Sequence, residues 1–129
     1  MTVLVLDSGA ITRLARRRQD AAALIAVFRR DGLWPPLVPS VVLAESRLSG
    51  RQRTDAEVNR LLKTCNVREE VPEHVARRAG ALRALAGQGS AVDAIVVALA
   101  EPGGALLGSD LKDLRALAAH AEDVVVHRV

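Results

Sequence analysis

The sequence predicts an α/β domain, a parallel sheet with helices packed on both faces. Three observations carry this. Short apolar runs alternate with helical stretches along the whole chain. The first run, residues 3–6, has no polar face, as suits a central strand buried on both sides. The 129 residues are 50% hydrophobic and 26% charged, which is globular composition, and by length they make one domain over residues 1–129.

Each element follows in order. Asp7-Ser8-Gly9 breaks the first strand and offers a cap to a helix over about residues 10–18. A second helix covers residues 21–30, with Leu24, Ile25, Val27 and Phe28 on its apolar side, until Asp31-Gly32 and Pro35-Pro36 end it. Residues 37–38 form a short strand. Ser40 caps a helix running through Leu48, which Ser49-Gly50 closes. Thr54 to Glu57 is a capping box for a helix to about Thr64. Residues 67–71 are a weak strand. Pro72 opens a helix as a first-turn proline, reaching Leu85 before Gly87 and Gly89. Residues 90–100 form an almost wholly apolar helix closed by Pro102-Gly103-Gly104. A strand at 105–107, a helix at 110–119 and a strand at 124–126 complete the chain.

Composition removes several classes of function. One Trp, one Phe and no Tyr leave no aromatic platform for stacked bases. The single cysteine, Cys65, forbids an internal disulfide, and no Cys/His cluster offers a zinc site. The apolar stretch 94–100 is too short to span a bilayer. The opening MTVLVLDSG has no basic leader and meets an aspartate at position 7, so it does not read as a signal peptide. A cytoplasmic protein without a membrane partner is expected. Net charge is +3, and the cations are almost all arginine. They cluster at Arg13, Arg16, Arg17 and Arg18, at Arg47, Arg51 and Arg53, and at Arg77, Arg78 and Arg83. Each cluster suits a solvated helix face; several sharing one face would suit a polyanion.

Four carboxylates stand in unusual places. Asp7 follows the first strand and Asp110 follows the strand at 105–107, and ligands of open parallel sheets bind beyond the carboxyl ends of strands. Glu45 shares a helical face with Val41, Val42 and Leu48, so it points where a core residue should. Asp93 lies among Val92, Ile95, Val96, Val97 and Leu99 on a helix apolar all round, where a charge is costly unless paired or bound to metal. Ordinary roles exist for each. Asp7 could cap the first helix, and Ser109 or Asp110 the helix at 110–119. Asp93 has capping-box spacing from Ser90. Glu45 could pair with an arginine, and Asp113 could be a first-turn acid favoured by the helix dipole. Brought together at the sheet's switch point, the four acids would repel one another unless a divalent cation sat among them. All-oxygen ligation selects Mg²⁺, with Mn²⁺ as a substitute, over zinc.

The segments VLVLDSGA, VVLAESRL, AVDAIVVALA and LLGSDLKDLRAL resemble, in this order and spacing, the four acidic motifs of PIN domains, and among these the VapC-type toxin ribonucleases of toxin–antitoxin pairs. The resemblance covers the chain from first strand to last. It implies a three-layer α/β/α fold with strand order 3-2-1-4-5, an RNA substrate, a cognate antitoxin protein and a homodimer. It carries Asp7, Glu45, Asp93 and Asp110 over as the acidic site and Asp113 as an additional acid. The family often has Thr or Ser two residues before the fourth acid, where this chain has Gly108 with Ser109 beside it. The expected chemistry is Mg²⁺-dependent hydrolysis of an RNA phosphodiester, with Asp7 and Asp93 as the most direct ligands, Asp110 and Glu45 completing the set, and Glu45 orienting the water. Arg13, Arg16 and Arg47 follow the site motifs closely and are candidate RNA contacts.

Other readings fit less well. An aspartyl-nucleophile phosphatase needs a second aspartate at position 9, which is glycine. A receiver domain needs a well-placed lysine, and only Lys63 and Lys112 exist. No nucleotide-binding glycine motif is present. A PIN-like module that binds protein or RNA without cutting is the main alternative. His74, His120 and His127 are scattered outside the four segments, and Cys65 reads as a packing residue.

Overall fold

A computed structural model describes residues 2–129, except the side chains of Arg18, Gln52 and Thr54. Five parallel strands form one sheet: β1 (Leu4–Leu6), β2 (Leu37–Pro39), β3 (Asn66–Arg68), β4 (Ala105–Gly108) and β5 (Val125–Arg128). Their order is β3-β2-β1-β4-β5, the order the PIN resemblance implies. Seven helices cover the sheet: α1 (Ser8–Arg16), α2 (Arg18–Arg30), α3 (Ser40–Glu45), α4 (Gln52–Leu62), α5 (Glu73–Ala86), α6 (Ala91–Ala100) and α7 (Lys112–Ala118).

The wholly apolar β1 lies at the sheet's centre, with all three residues buried. It pairs with β2 at Val5 and Leu37, and with β4 from Leu4 and Ala105 to Leu6 and Leu107. Each fully buried side chain such as Leu4, Leu6 or Leu106 contributes about 1.5–3 kcal/mol of burial. The apolar α6 is likewise core: Ala94 and Val96 to Ala100 are buried against the sheet and α5. No single helix among the described residues is long and apolar enough to cross a membrane.

This topology puts a crevice beyond the carboxyl ends of β1 and β4, where successive connections leave in opposite directions. The ladder continues one residue past β1, since Asp7 N–H donates to Leu107 C=O at 3.1 Å. Asp7 is therefore held against β4 by its backbone.

Several boundaries differ from expectation. α1 begins at Ser8, because the Asp7 carboxylate caps Ala10 N–H at 2.7 Å. α3 ends at Glu45, three residues before Leu48. Ser46 Oγ donates back to Val42 C=O, and Arg47 takes φ 52, which no helix continues. Ser40 does not cap α3; Pro39 holds that position and the Ser40 hydroxyl donates to Glu69 C=O instead. α4 begins at Gln52, before the capping box read from Thr54, whose side chain lies outside the described residues. α7 begins at Lys112 with Leu111 at its cap, so neither Ser109 nor Asp110 closes it.

Candidate functional site

Asp7 is 9% exposed, the deepest of the predicted acids. Its carboxyl is pushed up to about 6, first by burial and then by the negative charges of Asp93 and Glu45, while the Ala10 N–H bond pulls the other way. Two of the other predicted carboxylates, Asp93 on α6 and Glu45 on α3, therefore bear on Asp7 at the end of β1. Asp110 is not among the charges acting on Asp7. It is exposed on the loop after β4, with Oδ1 3.5 Å from Lys112 N.

Asp93 fills the capping role its spacing from Ser90 predicts. Its Oδ2 accepts from Ser90 N–H at 3.2 Å while Ser90 Oγ accepts from Asp93 N–H at 3.0 Å, a complete capping box. A carboxylate has a second oxygen, and its charge reaches Asp7 from the start of α6. Glu45 is exposed rather than buried, because α3 ends on it and turns it out of the core. The arginine pair considered for it is not made among the described residues. Asp113 is half-buried, and its Oδ1 accepts from Gln88 Nε2 at 3.1 Å.

A cleft of about 400 Å³ is lined by Ser8, Gly9, Thr12, Arg13, Arg16, Arg17, Glu45 and Ser109, so that of the four predicted acids Glu45 is the one in its lining. Arg47 is exposed and does not line it. Two glycines shape this end of the sheet. A side chain on Gly9 would run into Ser109 Oγ, and one on Gly108 would meet Asp7 Oδ2 at 2.8 Å. The hydroxyl that borders the cleft after β4 thus comes from Ser109, next to the glycine that leaves room for Asp7. The sequence placed Arg17 in a basic cluster with Arg13 and Arg16 but not among the candidate RNA contacts; it ends α1 and lines the same cleft. It also missed the steric role of the two glycines.

Other polar groups lie elsewhere. The His127 ring meets Phe28 edge-on at 6.2 Å. Cys65 is half-buried with Sγ donating to Leu61 C=O, and burial pushes its thiol up, as befits an unreactive packing residue. Among the described residues, no three His, Cys, Asp or Glu side chains stand close enough to enclose a metal ion. Mg²⁺ differs from zinc in needing no such cage, since one or two carboxylates and several waters commonly hold it. The Asp7 and Asp93 carboxylates fit that looser kind of binding.

No family model and no curated protein matches the chain. Solved structures do share its fold. PAE2754 from Pyrobaculum aerophilum is 18% identical with a TM-score of 0.62, over 97% of this chain and 90% of that one. A chain of DNA-bound VapBC from Salmonella typhimurium is 13% identical with a TM-score of 0.71, over 99% of this chain and 98% of its own.

Proposed function

We propose that this chain is a Mg²⁺-dependent endoribonuclease and the toxin of a toxin–antitoxin pair. The observation that carries the proposal is Asp7, a buried carboxylate at the end of the central strand that burial and two neighbouring acids hold at a raised pKa. A protein that concentrates negative charge at a switch point, at a cost to its own stability, is built for a ligand that neutralises it. The four acidic segments in PIN order and the likeness in fold to VapBC point the same way.

Asp7 and Asp93 would hold the ion, with Glu45 and Asp110 reaching it through water. Bound there, Mg²⁺ would acidify a water and neutralise charge on the phosphate oxygens. Asp7 is pre-positioned for this by its backbone bond to Leu107 and its side-chain bond to Ala10. Asp93 is oriented by the Ser90 capping box. Glu45, exposed at the rim of the cleft, would orient or deprotonate the attacking water. The VapBC likeness further supports a cognate antitoxin as partner, and the PIN resemblance a homodimer.

A second reading, a PIN-like module that binds protein or RNA without cutting, is favoured by the absence of a closed acidic cage among the described residues. Cleavage of single-stranded RNA with Mg²⁺, with chelator, and with Asp7→Asn separates the two. The nuclease reading expects cleavage in the first case only. Absence of cleavage in all three, or equal cleavage by the variant, gives the binding module.

A further inference from the structure

We infer that the cleft beside Glu45 is a phosphate track, in which Arg13, Arg16 and Arg17 grip the backbone of single-stranded RNA. The inference rests on the nuclease reading and names the surface and the mode by which that site takes its substrate.

Arg13 and Arg16 lie in the last turn of α1, Arg17 is the residue that ends the helix, and all three line the cleft. That helix starts at the Asp7 cap, so it runs outward from Asp7. Arg13 lies about 8 Å and Arg16 about 12 Å along the helix axis from Ser8. The same cleft holds Glu45 and the Ser8, Thr12 and Ser109 side chains. Glu45 and the three arginines therefore share one concave surface.

Favourable interaction with the helix dipole would explain cations in the last turn of α1. It would not explain why they open into the cleft that Glu45 borders. Among the described residues, no ion pair engages any of the three. Guanidinium forks match phosphate geometry. Base stacking offers no alternative source of affinity, since Phe28 is buried and Trp34, the other aromatic residue, lies half-buried away from this cleft. Binding through phosphates alone tolerates any base and weakens steeply with salt. Arg17 replaces Arg47 in the predicted set, because Arg47 lies on the turn after α3 and outside the cleft.

The test is fluorescence anisotropy of a labelled single-stranded oligoribonucleotide in chelator, across a salt series. Three phosphate contacts give a slope of log affinity against log salt of about −2, and each Arg→Gln change in the track reduces it by about 0.7. Arg77→Gln, which breaks an exposed pair with Glu73 on α5, should leave slope and affinity unchanged. In cleavage assays the track variants should raise KM more than they lower kcat. A triple Arg13, Arg16, Arg17→Gln variant with wild-type affinity and slope overturns the track, as does tighter binding of a polyglutamate peptide than of RNA. Salt-sensitive RNA binding lost in the triple variant, but with no cleavage by the wild type, supports the track and overturns the nuclease reading.

Discussion

The Asp7 carboxylate fills the space that a side chain at Gly108 would need. Its Oδ2 lies 2.8 Å from where a Cβ there would stand, and Leu114 Cδ1 crowds the same point at 2.7 Å. Gly108→Thr, which restores the hydroxyl common in PIN domains, should therefore displace Asp7 rather than assist it. A shift of about 1 Å in a positioned group can cost about 100-fold in rate, and overpacking costs about 1–3 kcal/mol. Cleavage assays and thermal melts would measure both, and a fully active Gly108→Thr protein would refute this account of Asp7's placement.

Asp7 should destabilise the folded protein at neutral pH. The fold raises its pKa from 3.8 to about 6, so the folded state holds the proton more tightly than the unfolded chain. Its favourable contribution is complete below pH 3.8 and is lost as pH rises through about 6. Asp7→Asn keeps an acceptor for Ala10 N–H and removes the charge. It should stabilise the metal-free protein by about 1–3 kcal/mol at pH 7, with the gain shrinking to nothing by about pH 4. Melting temperatures of both proteins against pH would show this, and a destabilised variant at pH 7 would contradict it.

Asp55 should behave with the opposite sign. Its carboxylate accepts from Ser49 N–H, Ser49 Oγ–H and Gly50 N–H, and these bonds hold its pKa below the usual value. Its contribution is present above pH 3.8 and is lost as pH falls through the lowered folded value. Asp55→Asn should therefore be destabilising at neutral pH, with the deficit closing in acid. A deficit that stays constant down to strongly acidic pH would show that packing rather than charge is involved.

How far the sequence discloses this protein depends on the kind of signal each residue leaves. The apolar run that became β1 and the strand–helix alternation impose the parallel sheet, because a strand without a polar face has to be covered on both sides. Glu45 was misjudged for a local reason. The apolar spacing of Val41, Val42 and Leu48 implied a longer helix, while the Ser46 hydroxyl bond and the left-handed Arg47 ended it at Glu45 and put the acid in solvent. Asp93 shows that a capping carboxylate is not thereby removed from the site, since it closes α6 and its charge still bears on Asp7. The need for glycine at 9 and 108 leaves no periodic trace, because it arises from contacts between segments about a hundred residues apart.

The cap made by Asp93 and the metal-holding role proposed for it are separable. Ser90→Ala removes the N-cap and should cost about 1 kcal/mol with cleavage retained. Asp93→Asn keeps an acceptor for Ser90 N–H, so it should change stability less and abolish cleavage. Melts and single-turnover assays on the two variants distinguish the roles, and an active Asp93→Asn protein would reduce this residue to a cap.

Mg²⁺ should reverse the pH dependence that Asp7 creates. A cation needs ionised ligands, so it competes with the proton for the Asp7 carboxyl. Added Mg²⁺ should raise the melting temperature above about pH 6 and have little effect near pH 5, where Asp7 is mostly protonated. At a hundredfold excess over its dissociation constant the gain is about 2.7 kcal/mol. Asp7→Asn should lose the response at every pH, melting at the same temperature in Mg²⁺ as in chelator. The protonation competition separates a site at Asp7 from general screening of the exposed acids Glu45 and Asp110, which would persist in the variant and vary little between pH 5 and pH 7. A Mg²⁺ shift of equal size in both proteins would therefore place the ion elsewhere.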